Sequence, residues 1–308
     1  MSIECGIVDE VQAGGDRRAH VHVRRLAERA GGFLGYSNPE AKLTVCGNCH
    51  VGQQQRWETT AHAGAWLTLS ESSASQALCE GCHTVTELGN ELTTAAGWHA
   101  VSDVRLQDVQ CESCHGPGLV HVRNPGAVQP HASLRAAVDA NDGCGECHSG
   151  AHHPFVEEWT LSRHATVQTG AAARAECRGC HVGQYALQTL DTEANYDERN
   201  AATPLPITCA VCHDPHGSPH EGQLRLAIDV PSEEENLCMQ CHLNRAEPNT
   251  SSHGMEPHAP QAAVLLGFAG WRPPGFQYDT NGDCTFIPYA QKSPPLAKLD
   301  TITVTERN

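Results

Sequence analysis

The chain has 308 residues, a formal charge of −16 and only 5 % aromatic residues. The acidic balance excludes nucleic acid as a partner, because a polyanion needs a basic face. The longest apolar run, Ala262 to Trp271, is far below the roughly 20 residues of a membrane span, so no transmembrane segment is expected.

The chain opens Met1-Ser-Ile-Glu-Cys5. This lacks the apolar stretch of a signal peptide, so a trimmed precursor or a misplaced gene start is expected. Asp16 to Ala30 predicts a helix: Asp16 is the N-cap, Ala19, Val23, Leu26 and Ala30 form the stripe, and Gly31-Gly32 is the stop. Residues 1–41 are read as an N-terminal helix and loop.

From residue 46 one pattern, Cys-x-x-Cys-His, occurs seven times. The first three copies are Cys46, Cys49 and His50; Cys79, Cys82 and His83; and Cys111, Cys114 and His115. The next three are Cys144, Cys147 and His148; Cys177, Cys180 and His181; and Cys209, Cys212 and His213. The last is Cys238, Cys241 and His242. Each is a c-type haem attachment signal. Two thiols add to the haem vinyl groups, and the adjacent histidine reaches the iron from one face. A lone Cys-x-x-Cys is commonly half a zinc site, which does not require histidine next to the second cysteine. With 20 histidines in 308 residues, seven out of seven by chance has a probability on the order of 5 × 10⁻⁹, which discards coincidence. Disulfides would spend the pairs in seven identical tiny loops. Seven covalent haem c groups are therefore expected. Of the sixteen cysteines, fourteen are in motifs, leaving Cys5 and Cys284; the sequence leaves open whether they pair.

Seven haems in 308 residues leave 308/7 = 44 residues per haem. The expected fold is mostly irregular, with short α-helices and few strands, wrapped around a chain of covalently bound haems. Loss of haem should then mean loss of fold.

The first cysteines stand at 46, 79, 111, 144, 177, 209 and 238, intervals of 33, 32, 33, 33, 32 and 29. A longer repeat lies over this period. Trp57 precedes His62 by five residues, as Trp159 precedes His164. The third motif of each set has histidines soon after it, His121 in one case and His216 or His220 in the other. Residues 42–143 and 144–237 are read as two three-haem modules, and 238–308 as the seventh haem and a tail. Trp57–Leu69 and Pro154–Thr166 predict short helices carrying His62 and His164. Thr301–Thr305 alternates like a short strand, and the Pro-rich stretches are loops.

Thirteen histidines lie outside the motifs. Of three methionines, Met239 is inside a motif and Met255 is the only plausible sulfur ligand. Histidine is therefore the expected sixth ligand at most or all irons, which makes low-potential haems.

The Trp-x-x-Thr/Ser-x-His-Ala segments, Val109 through His121, and Cys212-His-Asp-Pro-His216-Gly resemble the multihaem cytochrome c superfamily. That superfamily includes the nitrifier tetrahaem cytochrome, hydroxylamine oxidoreductase and pentahaem nitrite reductase. The resemblance spans roughly residues 42–275. It implies that His62, His121, His164 and His216 are distal ligands, with His153 and His258 at similar positions. For the seventh, His22 is taken over His99, His220 and His253.

The enzymes of this superfamily keep one iron open. No Cys-x-x-Cys-Lys occurs here, and none of the five tyrosines has the context of a haem cross-link. The expectation is an electron-transfer protein with no catalytic residue. The alternative is a reductase or oxidase of small nitrogen or sulfur compounds with one five-coordinate haem. Haem c is attached on the exported side of a membrane, which predicts a periplasmic or extracellular protein. Its partners would be redox proteins or other copies of itself. If a neighbour supplies a sixth ligand, copies join head to tail into a filament. Asp279–Asp283 resembles the start of a calcium loop. It has Cys284 where Gly is needed and lacks the closing Glu, so calcium is not expected.

Overall fold

The computed structural model describes residues 25–134, 143–230, 232, 234–242, 259 and 261. The chain divides into two compact units, Met1–Arg225 and Leu226–Asn308. Regular structure is sparse. Helices are of one or two turns, and among the described residues one two-stranded sheet forms. Helices this short are marginal in isolation and depend on what they pack against.

In the first unit, residues 25–29 are helical, the described end of the helix predicted from Asp16. It stops at Gly31 and Gly32, with φ of 73° and 99°, as the two glycines require. Strands β1 (Tyr36–Asn38) and β2 (Leu43–Thr44) then pair antiparallel. The Tyr36 hydroxyl donates to Asp108 Oδ2 at 2.8 Å. Burial, then the Asp108 carboxylate, pushes the Tyr36 phenol far above its usual range. Asp108 also accepts from Lys42 Nζ at 3.2 Å and from the Trp66 backbone at 2.9 Å. One carboxylate thus ties the hairpin to the helix Ala65–Glu71.

The two helices expected around the Trp/His segments are each broken. Helix α1 (Val51–Trp57) ends at the tryptophan, His62 sits on a separate 3-10 turn (Ala61–Gly64), and helix α2 (Ala65–Glu71) follows. Likewise helix α3 (Phe155–Thr160) ends before the 3-10 turn Arg163–Ala165 that carries His164. The breaks fall at Thr60 and Ser162, both extended with ψ of 160° and 161°. Each is the third residue after its tryptophan. Thr60 turns its hydroxyl back to Trp57 O at 2.7 Å, the local bonding by which Ser and Thr compete with a helix.

The apolar cores are small. One gathers Leu26, Ala30, Phe33, Val85, Ala96, Trp98 and Leu106. Another gathers Leu134, Ala186, Leu187, Tyr196, Leu205 and Val211 around helix α4 (Gly183–Leu190). The first is closed by Gly97 at φ +57°, where the backbone runs so near Val85 that a Cβ would strike its carbonyl. In the second unit, Asn236 donates to Ile228 O and Val230 O at 3.1 and 2.8 Å, and accepts from Met239 N at 3.1 Å. It thereby holds the turn Cys238–Gln240. Thr301–Thr305 lies outside the described residues.

Candidate haem sites

Every motif lies on a short helical turn. The His50, His148, His213 and His242 amides donate to the carbonyl of the first cysteine of their own motif at 2.8–2.9 Å. Such a turn places the first cysteine, the second at i+3 and the histidine at i+4 on one side. The local geometry therefore presents two thiols and an imidazole together. The fifth motif is split between two turns: Cys177 ends the 3-10 turn Ala175–Cys177, while Cys180 and His181 end the helical turn Arg178–His181. In the seventh, Cys241 caps the turn Cys238–Gln240, and its amide donates to Cys238 O at 3.3 Å. The Cys180 and Cys241 side chains are both half-buried.

Several motif histidines are then oriented through Nδ1. His83 Nδ1 pairs with Ala65 O at 2.7 Å, His115 Nδ1 with His131 O at 2.5 Å, and His213 Nδ1 with Gly222 O at 2.6 Å. His242 Nδ1 meets Gln261 Oε1 at 3.0 Å. A carbonyl acceptor fixes the proton on Nδ1 and leaves the Nε2 lone pair for a metal. Outside the motifs, His121 is held the same way by Val128 O at 2.6 Å.

Three motif histidines face a non-motif histidine. The ring centres of His50 and His121 are 6.2 Å apart with planes 27° from parallel. Those of His115 and His216 are 6.1 Å apart and within 6° of parallel. Those of His148 and His62 are 6.1 Å apart and tilted by 55°. Two metal–nitrogen bonds of about 2 Å, plus about 1.2 Å from each nitrogen to its ring centre, sum to about 6.4 Å. The spacing fits one iron between two imidazoles. Burial is the leading cause that lowers the pKa of His62 and His115, and it takes His148 down to about 4. Each shift favours the neutral imidazole, the form that binds a metal.

The partners are not sequence neighbours. His62, which follows the first motif, faces the fourth. His121, which follows the third, faces the first. His216, which follows the sixth, faces the third. His153 lies 5.9 Å from His148 and 5.1 Å from His152, ring centre to ring centre. His164 accepts at its carbonyl from Ile207 N at 3.0 Å. His22, His258, Cys5, Cys284 and residues 279–283 lie outside the described residues.

The two Trp/His segments share one hydrogen-bond pattern. Trp57 Nε1 donates to Val109 O at 2.9 Å, and Val109 N donates to His62 O at 3.1 Å. Trp159 Nε1 donates to Ile207 O at 2.8 Å, and Ile207 N donates to His164 O. Val109 and Ile207 each stand two residues before a motif.

The motif thiols also meet across motifs. Cys46 hydrogen-bonds Cys111, which lowers the Cys111 pKa to about 7 and raises that of Cys46. Cys82 and Cys147 behave alike, with Cys82 taken down to about 7. Among the described residues no three His, Cys, Asp or Glu side chains converge as a bare-ion site would require, and no helix is long and apolar enough to cross a membrane.

Sequence reasoning gave no ligand role to His131. Its Nδ1 lies 2.6 Å from Asp197 Oδ2, a partner 66 residues away that no local pattern announces. His99, weighed against His22, has its Nδ1 2.7 Å from Glu87 Oε1 and its ring against Gly81 of the second motif.

Repeated turns offering two thiols and an imidazole, with further imidazoles at iron-spanning distance, define a carrier of covalent haem. Two family models agree: "Cytochrome c554 and c-prime" matches residues 45–116, and "Doubled CXXCH motif" matches 205–247. The multiheme cytochrome MtrA of Shewanella baltica is 27 % identical over 197 residues, 57 % of this chain and 55 % of that protein. Cytochrome c-554 of Nitrosomonas europaea is 33 % identical over 91 residues, 24 % of this chain and 36 % of its own. The crystal structure of the outer cell wall cytochrome OcwA aligns with a TM-score of 0.41 at 23 % identity, over 65 % of this chain and 49 % of that one. The chain thus spans about half the length of MtrA and of OcwA. It belongs to the multihaem cytochrome c superfamily and carries covalently bound c-type haem.

Proposed function

We propose that the chain is a seven-haem electron conduit in which non-motif histidines close the second face of the irons. The observation that carries this reading is that three motif histidines, His50, His115 and His148, each have a non-motif imidazole at 5.9–6.2 Å, His148 having both His62 and His153. When bound, each haem supplies a one-electron iron couple that exchanges electrons with its neighbours. The protein's share is to favour the neutral form of the buried His62, His115 and His148, to orient His83, His115, His121 and His213 through Nδ1, and to fix the spacing. The thiol contacts between motifs one and three, and between two and four, support adjacent attachment points for haems distant in sequence. The shared Trp/His hydrogen-bond pattern supports two related modules.

Haem attachment on the exported side of a membrane supports a periplasmic or extracellular location. The partners are redox proteins or further copies of the chain, with a head-to-tail filament as the extended form. Intact mass of the purified protein should exceed the polypeptide by seven haems; a shortfall of one would retire that motif. In the ferric state the spectrum should be low-spin, with no turnover of nitrite or hydroxylamine by dye-reduced protein. Turnover near about 1–10³ s⁻¹ would make it an enzyme with an open iron instead.

A further inference from the structure

The ring of His216 faces that of His115 across 6.1 Å, within 6° of parallel. A carboxylate stands beside it. Asp214 Oδ1 accepts from His216 N at 3.0 Å and lies 3.5 Å from His216 Nδ1. A negative charge next to an imidazole that binds iron favours the ferric over the ferrous state, and so lowers the couple.

The other oxygen of Asp214 meets two guanidinium groups. Oδ2 is 3.2 Å from Arg56 Nη1 and 3.8 Å from Arg225 Nη1, and the Asp214 side chain is only 13 % exposed. Arg225 is itself anchored: its backbone N donates to Cys212 O at 2.8 Å, its Nε to Ala210 O at 3.0 Å, and Nη1 lies 3.3 Å from Asp191 Oδ2. Arg56 comes from α1, which follows the first motif. There the two chain segments are in close contact. Gly217 has φ +112°, and a Cβ on it would lie 2.5 Å from Arg56 O. The ion pairs occupy Oδ2 and leave Oδ1 against His216. The carboxylate is thus shared between a histidine and a cation from a remote part of the chain.

We infer that Asp214 is a positioning residue that lowers the couple of the haem attached at Cys111 and Cys114, acting through His216, and that Arg56 limits how far. This deepens the reading that His216 closes that iron and rests on it. A residue after the first motif then adjusts a couple that belongs to the third, through a carboxylate that follows the sixth. Any change in how α1 meets the loop 214–217 is felt as a change of potential at that haem.

Potentiometric titration of the full haem-loaded protein tests this. Asp214→Asn keeps an oxygen for His216 N and removes the charge. It should raise one couple by about tenfold in its reduced-to-oxidised ratio, ~59 mV for one electron. Arg56→Gln uncovers the carboxylate and should lower the same couple, while Asp214→Glu should stay near the unaltered protein. All three should remain low-spin. Arg56 has half its side chain exposed, so Arg56→Gln carries the test should Asp214→Asn fail to fold. His216→Ala probes the reading beneath, and should turn one ferric haem high-spin by electron paramagnetic resonance. If it does so while the charge variants move no couple, or move it in the same direction, the inference falls alone. If His216→Ala leaves every haem low-spin, the axial reading falls and this inference with it.

Discussion

Replacing His62 with alanine should make one haem high-spin, and that haem should be the one attached at Cys144 and Cys147. Sequence proximity points to the first motif, whose His50 lies twelve residues before His62. The structure points to the fourth, because the His62 ring centre is 6.1 Å from that of His148, while His50 is faced by His121. A second substitution distinguishes them. Removing the fourth haem by Cys144→Ser and Cys147→Ser in the His62→Ala background should abolish the high-spin signal. Removing the first haem by Cys46→Ser and Cys49→Ser should leave it. The reverse outcome would break the cross-motif pairing. Because attachment depends on the motif and not on its opposite ligand, His62→Ala itself should lose no haem.

Glu112→Ala should destabilise the haem-loaded protein by about 3–5 kcal/mol, read as a lowered thermal midpoint. The carboxylate sits inside the third motif and is 3 % exposed. It accepts from Leu34 N at 2.9 and 3.0 Å, Gly35 N at 2.7 Å and Gly118 N at 2.7 Å. Alanine would leave three buried donors unpaired and release residues 34–35 and 118 from the motif. The pH dependence has a definite sign. Burial pushes the Glu112 carboxyl up to about 7, against the pull of the Gly35, Gly118 and Leu34 amides in the opposite direction. The folded state therefore holds a proton that the unfolded chain has released by about pH 4.3. This group's contribution to stability falls as pH rises from about 4.3 to 7. Glu112→Gln should remove that slope while costing less than alanine. A flat Glu112 contribution across this window would show that the amides win and the carboxylate stays ionised.

The haem-binding chemistry was legible because it is local. A helical turn alone brings Cys, Cys at i+3 and His at i+4 to one side, so Cys46, Cys49 and His50 can be read without knowing the fold. The stop at Gly31-Gly32 was legible for the same reason, since a left-handed backbone favours glycine. The Trp57 and Trp159 segments were half legible. Their kinship was visible, but not the breaks at Thr60 and Ser162. Helical periodicity runs across those residues, and only the hydroxyl's bond to the preceding turn, seen at Thr60, and the tryptophan's bond to Val109 or Ile207 favour the interruption.

The sequence by itself determined the cofactor class and the sparse, irregular fold. Each follows from residues within five positions of one another or from composition. Only the tertiary structure decided which non-motif histidine faces which motif. His62 and His148 are 86 positions apart, and His115 and His216 are 101 apart. Their meeting depends on packing among residues remote in sequence. The same holds for His131, whose ring is set by Asp197. A histidine's identity as a possible ligand is chemical and local; its choice of partner is set by how the chain closes in space.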